Sequence, residues 1–323
     1  GERPRPPRLP GLEISRSRFD LAPPQSQWPE RAVAIDASLS GRPTKETTML
    51  DNSPHSKDGT RYRYDHPRMY PDVMNDMFLS SKDLGPGDYV GGFDLRLTDQ
   101  SNLNDRSVAI DGKYVLFVFG SLTCPVTESA AEGLKLLNSV YKARVRFVMV
   151  NVREAHPGRK LPQPKTFDSK MEHAIALKRH HGFDFDVACD DIDGSFHRRF
   201  GARPNSAYMI DPHGKILFLA QWANETSAID HAIKAVVSGS APKKPVITNT
   251  FHAMTQMVGY MKPVMKAAGR GATIDTWKVA PPLGFLMLLQ NFFWFLRPNS
   301  RGLPSMVLMM GLIAAAVVLA RST

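Results

Sequence analysis

The chain has 323 residues, a formal charge of +10 and two cysteines, Cys124 and Cys189. That length holds one ordinary domain with long attachments or two small domains, and so few cysteines exclude a disulfide scaffold and favour a reducing compartment. From Ala241 onward nine Lys/Arg stand against one acid, Asp275, beside the most apolar sequence. This points to an anionic membrane surface; no zinc-finger spacing or RNA-binding aromatic signature supports nucleic acid.

Residues 1–84 are aperiodic and rich in Pro and Arg, without the apolar run of a secretory signal. They read as an extended arm lying on a partner, with Trp28, Tyr62, Tyr64, Tyr70 and Phe78 as anchors. Arg3, Arg5 and Arg8 are expected to meet acidic groups or lipid headgroups. Gly85–Asp99 reads as an entry hairpin with Phe93, Leu95 and Leu97 on one face.

Tyr114–Gly120 (YVLFVFG) is apolar without alternation, the pattern of a strand buried on both faces. After it come the turn Ser121–Cys124 and a helix over Val126–Ala143. Arg146–Val152 is a second buried strand, Asp168–His181 a helix, Val187–Asp190 a short strand and Gly194–Phe200 a helical turn. Ser206–Asp211 and Ile216–Trp222 form an antiparallel hairpin, and Asn224 is expected to cap the helix Ser227–Ser238. This order is that of a thioredoxin-like α/β domain over 85–239. In that fold Pro204, just before the third core strand, would be a cis-proline beside the reactive cysteine.

Residues 240–282 read as a basic, Met-rich amphipathic linker. Its stripe is Phe251, Met254, Val258, Met261, Met265 and Ala268, with a kink at Pro263 eased by Gly259. Residues 283–297 are aromatic and too short to span a bilayer, as in an interfacial segment. Leu303–Ala320 has 18 residues without charge, about 27 Å as a helix, and reads as a single-pass C-terminal anchor. Arg297 and Arg301 on one side against Arg321 on the other put the folded domain on the cytoplasmic or matrix face of an inner, energy-transducing membrane.

The chemical device is the strand, the sharp turn and the helix with Cys124 at its mouth. Unpaired N–H groups and the dipole there favour a thiolate, and Pro125 suits the first helical turn. Glu154 and His156 leave the end of the second strand beside it, where they could hold and deliver a proton.

Taken together, these residues resemble the iodothyronine deiodinase family and its bacterial relatives. The resemblance runs through Gly120-Ser121-x-Thr123-Cys124-Pro125, Glu154-Ala155-His156 and Gln163-Pro164-x-Thr166. Phe200-Gly201-Ala202-Arg203-Pro204, Tyr208 and Asp211-x-x-Gly214-Lys215-Ile216 complete it, covering about 85–239. It implies that Cys124 stands at the selenocysteine or cysteine position, with Thr123 beside it and Glu154 and His156 as an acid–base pair. The chain departs from the family pattern in its sulfur nucleophile, in Val126 where a second proline is common, and in residues 157–161. A peroxiredoxin fits less well, since Phe117 stands where its proline would be. Thr127 holds the resolving position of a CxxC motif, so disulfide reduction would need Cys189 or an external thiol.

Two functions follow. The first is an accessory subunit of a respiratory or photosynthetic membrane complex, with integral membrane subunits and anionic lipid as partners. The second is a membrane-bound thiol oxidoreductase, reductive-dehalogenase or peroxidase-like, with Cys124 as nucleophile and an external thiol as reductant. Neither a cofactor nor a metal is expected.

Overall fold

A computed structural model describes residues 68, 69, 78–80 and 82–322; most of the arm, with Trp28, Tyr62, Tyr64 and Tyr70, lies outside them. The apolar run Tyr114–Gly120 is strand β3, the centre of the domain. Side chains alternate along a strand, so an unbroken apolar run needs cover on both faces. Leu116 and Val118 meet one layer of helices, α2 (Pro125–Tyr141), α3 (Phe167–His181) and α5 (Thr226–Val237). Val115, Phe117 and Phe119 meet the other, which holds α1 (Asp105–Asp111) and α4 (Ser195–Arg199).

Beside β3 lie β4 (Val145–Asn151) in parallel and β6 (Ala207–Ile210) in antiparallel pairing. β5 (Asp186–Cys189) extends the sheet past β4, and β7 (Ile216–Ala220) extends it past β6. With β1 (Asp94–Leu97), β2 (Asn102–Asn104) and β8 (Val246–Ile247) the sheet has eight strands in the order β2-β1-β5-β4-β3-β6-β7-β8. The order β4-β3-β6-β7, with β4 parallel to β3 and with β3–β6 and β6–β7 antiparallel, is the one expected from the sequence. The entry hairpin pairs β1 with β2, slightly beyond the expected span, and Phe93, Leu95 and Leu97 point inward as anticipated. In the pairing of β3 with β4, Gly120 faces Asn151, so the loops that follow these strands emerge side by side.

Three expectations are corrected. The Arg203–Pro204 peptide is trans, and the buried amide of Asn205 ties this turn to the sheet and α2 by donating to Phe119 O and Thr127 Oγ1 at 3.0 Å each. The neighbouring Arg203 guanidinium donates to Phe200 O at 2.8 Å and pairs with Asp83, so this part of the motif has a structural task. Asn224 does not cap α5. Its buried side chain donates to Ser129 Oγ at 3.0 Å and Ala253 O at 2.9 Å, while Glu225 takes the cap position.

The largest correction concerns 240–282, which is no linker. It folds as α6 (Thr250–Ala268) and α7 (Arg270–Val279), followed by α8 (Pro281–Leu289), two 3-10 turns and α9 (Gly302–Ser322). The stripe Val258, Met261, Met265 and Ala268 is buried against the domain together with Met257 and Val264, whereas Phe251 is 65% exposed. α6 runs on through Pro263. Gly259 has another use: a Cβ there would lie 2.1 Å from Pro298 O, and one at Gly302 would lie 1.9 Å from Thr255 O. These two close approaches lock the start of α9 to α6.

The segment spanning Pro298–Ser322 is long and apolar enough to cross a membrane; its first residues pack on the domain, and 310–322 are exposed. Arg301, counted among the charges that flank the anchor, is buried and donates to Leu296 O at 2.9 Å and Trp294 O at 2.8 Å. The exposed rings of Phe285, Phe292, Trp294 and Phe295 lie on the approach to α9. Because backbone atoms block Gly259 and Gly302, Gly259→Ala and Gly302→Ala should each destabilise the C-terminal helices by about 1–3 kcal/mol. Thermal denaturation in detergent, with proteolysis beyond residue 240 as a local readout, checks this.

Candidate active site

Gly120 ends β3 where nothing larger fits: a Cβ there would come within 2.7 Å of Thr127 Oγ1. The chain then turns, and Cys124 becomes the N-cap of α2 with Pro125 directly after it. The Cys124 N–H donates to Ser121 O at 3.2 Å and its carbonyl accepts from Glu128 N at 3.1 Å.

The facing loop is stitched on by Glu154, which is 1% exposed. Its Oε2 accepts from Thr123 N at 2.9 Å and Thr123 Oγ1 at 2.6 Å. His156 N donates to Thr123 Oγ1 and Ala155 N to Ser121 Oγ, both at 3.1 Å. Thus Thr123, Cys124, Glu154 and His156 share one corner at the ends of β3 and β4.

Their roles there differ from the expected ones. Glu154 Oε1 bonds His173 Nδ1 on α3 at 2.7 Å, so its partner is His173 and not His156. Burial works against the His173 imidazolium, yet the hydrogen bond and charge of Glu154 outweigh it and hold His173 above its usual range. His156 is driven down to about 4, first by burial and then by the Arg153 charge, and its Nδ1 lies 3.5 Å from Thr276 Oγ1 of α7. It is a neutral imidazole turned towards the C-terminal helices. His173 is missing from the sequence reading; its signal is a histidine on the buried stripe Met171, Ala174 and Leu177 of α3.

Cys124 is 2% exposed. It belongs to a third apolar cluster with Val126, Trp222, Met257, Met261 and Met265. Trp222 Nε1 donates to Thr250 Oγ1 at 3.0 Å, and Lys160 N donates to Ala268 O at 2.9 Å, so the cover is bonded to the domain on two sides. Burial pushes the Cys124 thiol above its ordinary value, against the Thr127 and Val126 N–H groups and the Thr127 hydroxyl, which favour thiolate; the Glu154 charge adds to the rise. Burial thus opposes the expected thiolate. A helix N-terminus contributes about 0.3–1 kcal/mol at an exposed site, whereas desolvating a charge costs several. Cys189 lies on β5 beyond β4, in the first cluster and apart from Cys124. Burial raises it to about 12.

No family model matches the chain, and no curated protein matches it. Among solved structures, a hypothetical protein from Sinorhizobium meliloti aligns at 17% identity over 51% of this chain and 92% of its own, with a TM-score of 0.39. A thiol-disulfide oxidoreductase from Bacteroides fragilis aligns at 20% over 41% and 89%, with a TM-score of 0.32. A peroxidoxin from Mycobacterium tuberculosis aligns at 15% over 46% and 94%, with a TM-score of 0.35. Likeness at this level assigns neither family nor activity.

The site has two measurable consequences. Alkylation of Cys124 in the folded protein should titrate above the free-thiol value of about 8.5; a midpoint at or below it would show an activated thiolate. Since His156 is held near 4 and an unfolded histidine titrates near 6.5, the unfolded chain binds more protons between these values. Stability from His156 is complete above about 6.5 and is lost as pH falls towards 4, by at most about 3 kcal/mol. Thermal denaturation of His156→Gln beside the wild type should show a shallower acid loss.

Proposed function

We propose that the chain is a membrane-anchored thiol oxidoreductase of thioredoxin type, kept closed by its own C-terminal helices. The observation that supports it most is the placement of Cys124 as the N-cap of α2 at the ends of two parallel buried strands, beside Glu154 and His173. With the cover displaced, water would reach the thiol, the desolvation penalty would fall, and the Val126 and Thr127 N–H groups would favour thiolate.

Cys124 Sγ would then attack a disulfide sulfur, forming a mixed disulfide while the leaving thiolate takes up a proton. Thr127 cannot resolve that bond and Cys189 lies two strands from β3, so an external thiol would attack the mixed disulfide and return Cys124 to its reduced form. Removal of a halogen from an organic substrate is the narrower version that the deiodinase motifs suggest. The exposed apolar helix α9 would hold the domain at the bilayer, on the cytoplasmic or matrix side by its flanking charge.

The burial of Cys124 favours a second reading. A sealed thiol suits an accessory subunit that uses this domain to dock integral membrane partners, with anionic lipid beside the basic C-terminal surface. One experiment separates the two. Disulfide reduction with glutathione is followed for the full chain in detergent, for Met261→Glu, which loosens the cover, and for Cys124→Ser in both backgrounds. Turnover that depends on Cys124 and rises at least tenfold in Met261→Glu is expected. No Cys124-dependent turnover in a folded Met261→Glu protein would overturn the oxidoreductase reading and leave the accessory one.

A further inference from the structure

Away from the thiol corner, two helices bring three metal-ligating side chains to one point. Glu128 stands in the first turn of α2, and His180 and His181 in the last turn of α3, just before the helix is ended by Gly182 in the left-handed conformation. His180 Nε2 lies 2.9 Å from Glu128 Oε2, and His181 Nε2 lies 3.8 Å from the same oxygen. One donor atom from each of the three residues falls within 4.8 Å of the others. Neighbouring residues of a helix ordinarily diverge by about 100°. Here both imidazoles nevertheless aim at one carboxylate.

We propose that Glu128, His180 and His181 form a binding site for a divalent zinc-like metal ion, which would clamp α2 to α3 one turn from Cys124. A tetrahedral ion with bonds of about 2.0–2.1 Å sets its ligand atoms roughly 3.3–3.4 Å apart. The separations of 2.9 and 3.8 Å bracket that value, so small rotamer shifts would complete the set. A carboxylate oxygen and two imidazole nitrogens suit Zn²⁺, with water or an exogenous ligand in the fourth position.

The rings are held in place by their neighbours. His181 lies between His180, edge-on at 4.6 Å, and Phe183, at 5.0 Å and 31°. A plain ion pair would need only one histidine. The nearby cation, Lys135, is paired with Glu132 at 2.5 Å, which reduces its opposition to a bound ion.

Titration of the metal-stripped full chain in detergent with Zn²⁺ by calorimetry provides the test. One equivalent should bind, with affinity lowered at least tenfold in Glu128→Gln and in His180→Gln, and unchanged in His231→Ala on the exposed face of α5. Zn²⁺ should raise the melting temperature of the wild type and not of His180→Gln. Should a variant fail to fold, the wild type still answers: Zn²⁺ should protect His180 from diethylpyrocarbonate, read by mass spectrometry, and Co²⁺ should give the intense visible bands of a tetrahedral site. No stoichiometric binding, or binding with His180 left unprotected, would overturn the proposal.

Discussion

A carboxylate removed from water must be paired or hydrogen-bonded, and Glu154 meets that demand with three groups from two other parts of the fold. Thr123 supplies an N–H and a hydroxyl, and His173 supplies its Nδ1. These bonds hold the loop after β3 against the loop after β4 and anchor both to α3. The position of Cys124 follows, since it is the next residue after Thr123. Removing one partner would leave a charge buried without compensation, which is why this corner is better described as a brace than as a poised proton relay.

At Cys124 two electrostatic effects compete, and burial decides. The helix mouth offers N–H groups suited to a thiolate, but α6 covers it with Met257, Met261 and Met265, and burial pushes the thiol above its ordinary value. The balance would reverse only if water entered. The cover continues, through the close contacts of Gly259 and Gly302, into the helix able to cross a bilayer. The cover of the thiol and that apolar helix are thereby in direct backbone contact.

Much of the fold follows from local pattern. The unbroken apolar run reads as a two-sided strand, and the α/β alternation leads to a mixed sheet. The N-cap position of Cys124, the turn at Gly120 and the long apolar helix α9 are equally local, because strand period, helix period and hydropathy are properties of short windows. Thr123, Cys124, Glu154 and His156 could be placed in one corner because loops at the same ends of adjacent parallel strands must be neighbours.

Partner choice, however, belongs to the tertiary structure. Glu154 pairs with His173, nineteen positions along the chain, while His156, two residues away, turns to Thr276. No spacing rule distinguishes these histidines. The Met stripe of α6 looks the same in sequence whether it covers a partner, a bilayer or its own domain, since amphipathicity states that a face is buried and not against what. Its seating on Cys124 buries the thiol and so opposes the ionisation that the helix mouth favours. Likewise Glu128, His180 and His181 meet only because α2 and α3 pack side by side on one face of the sheet.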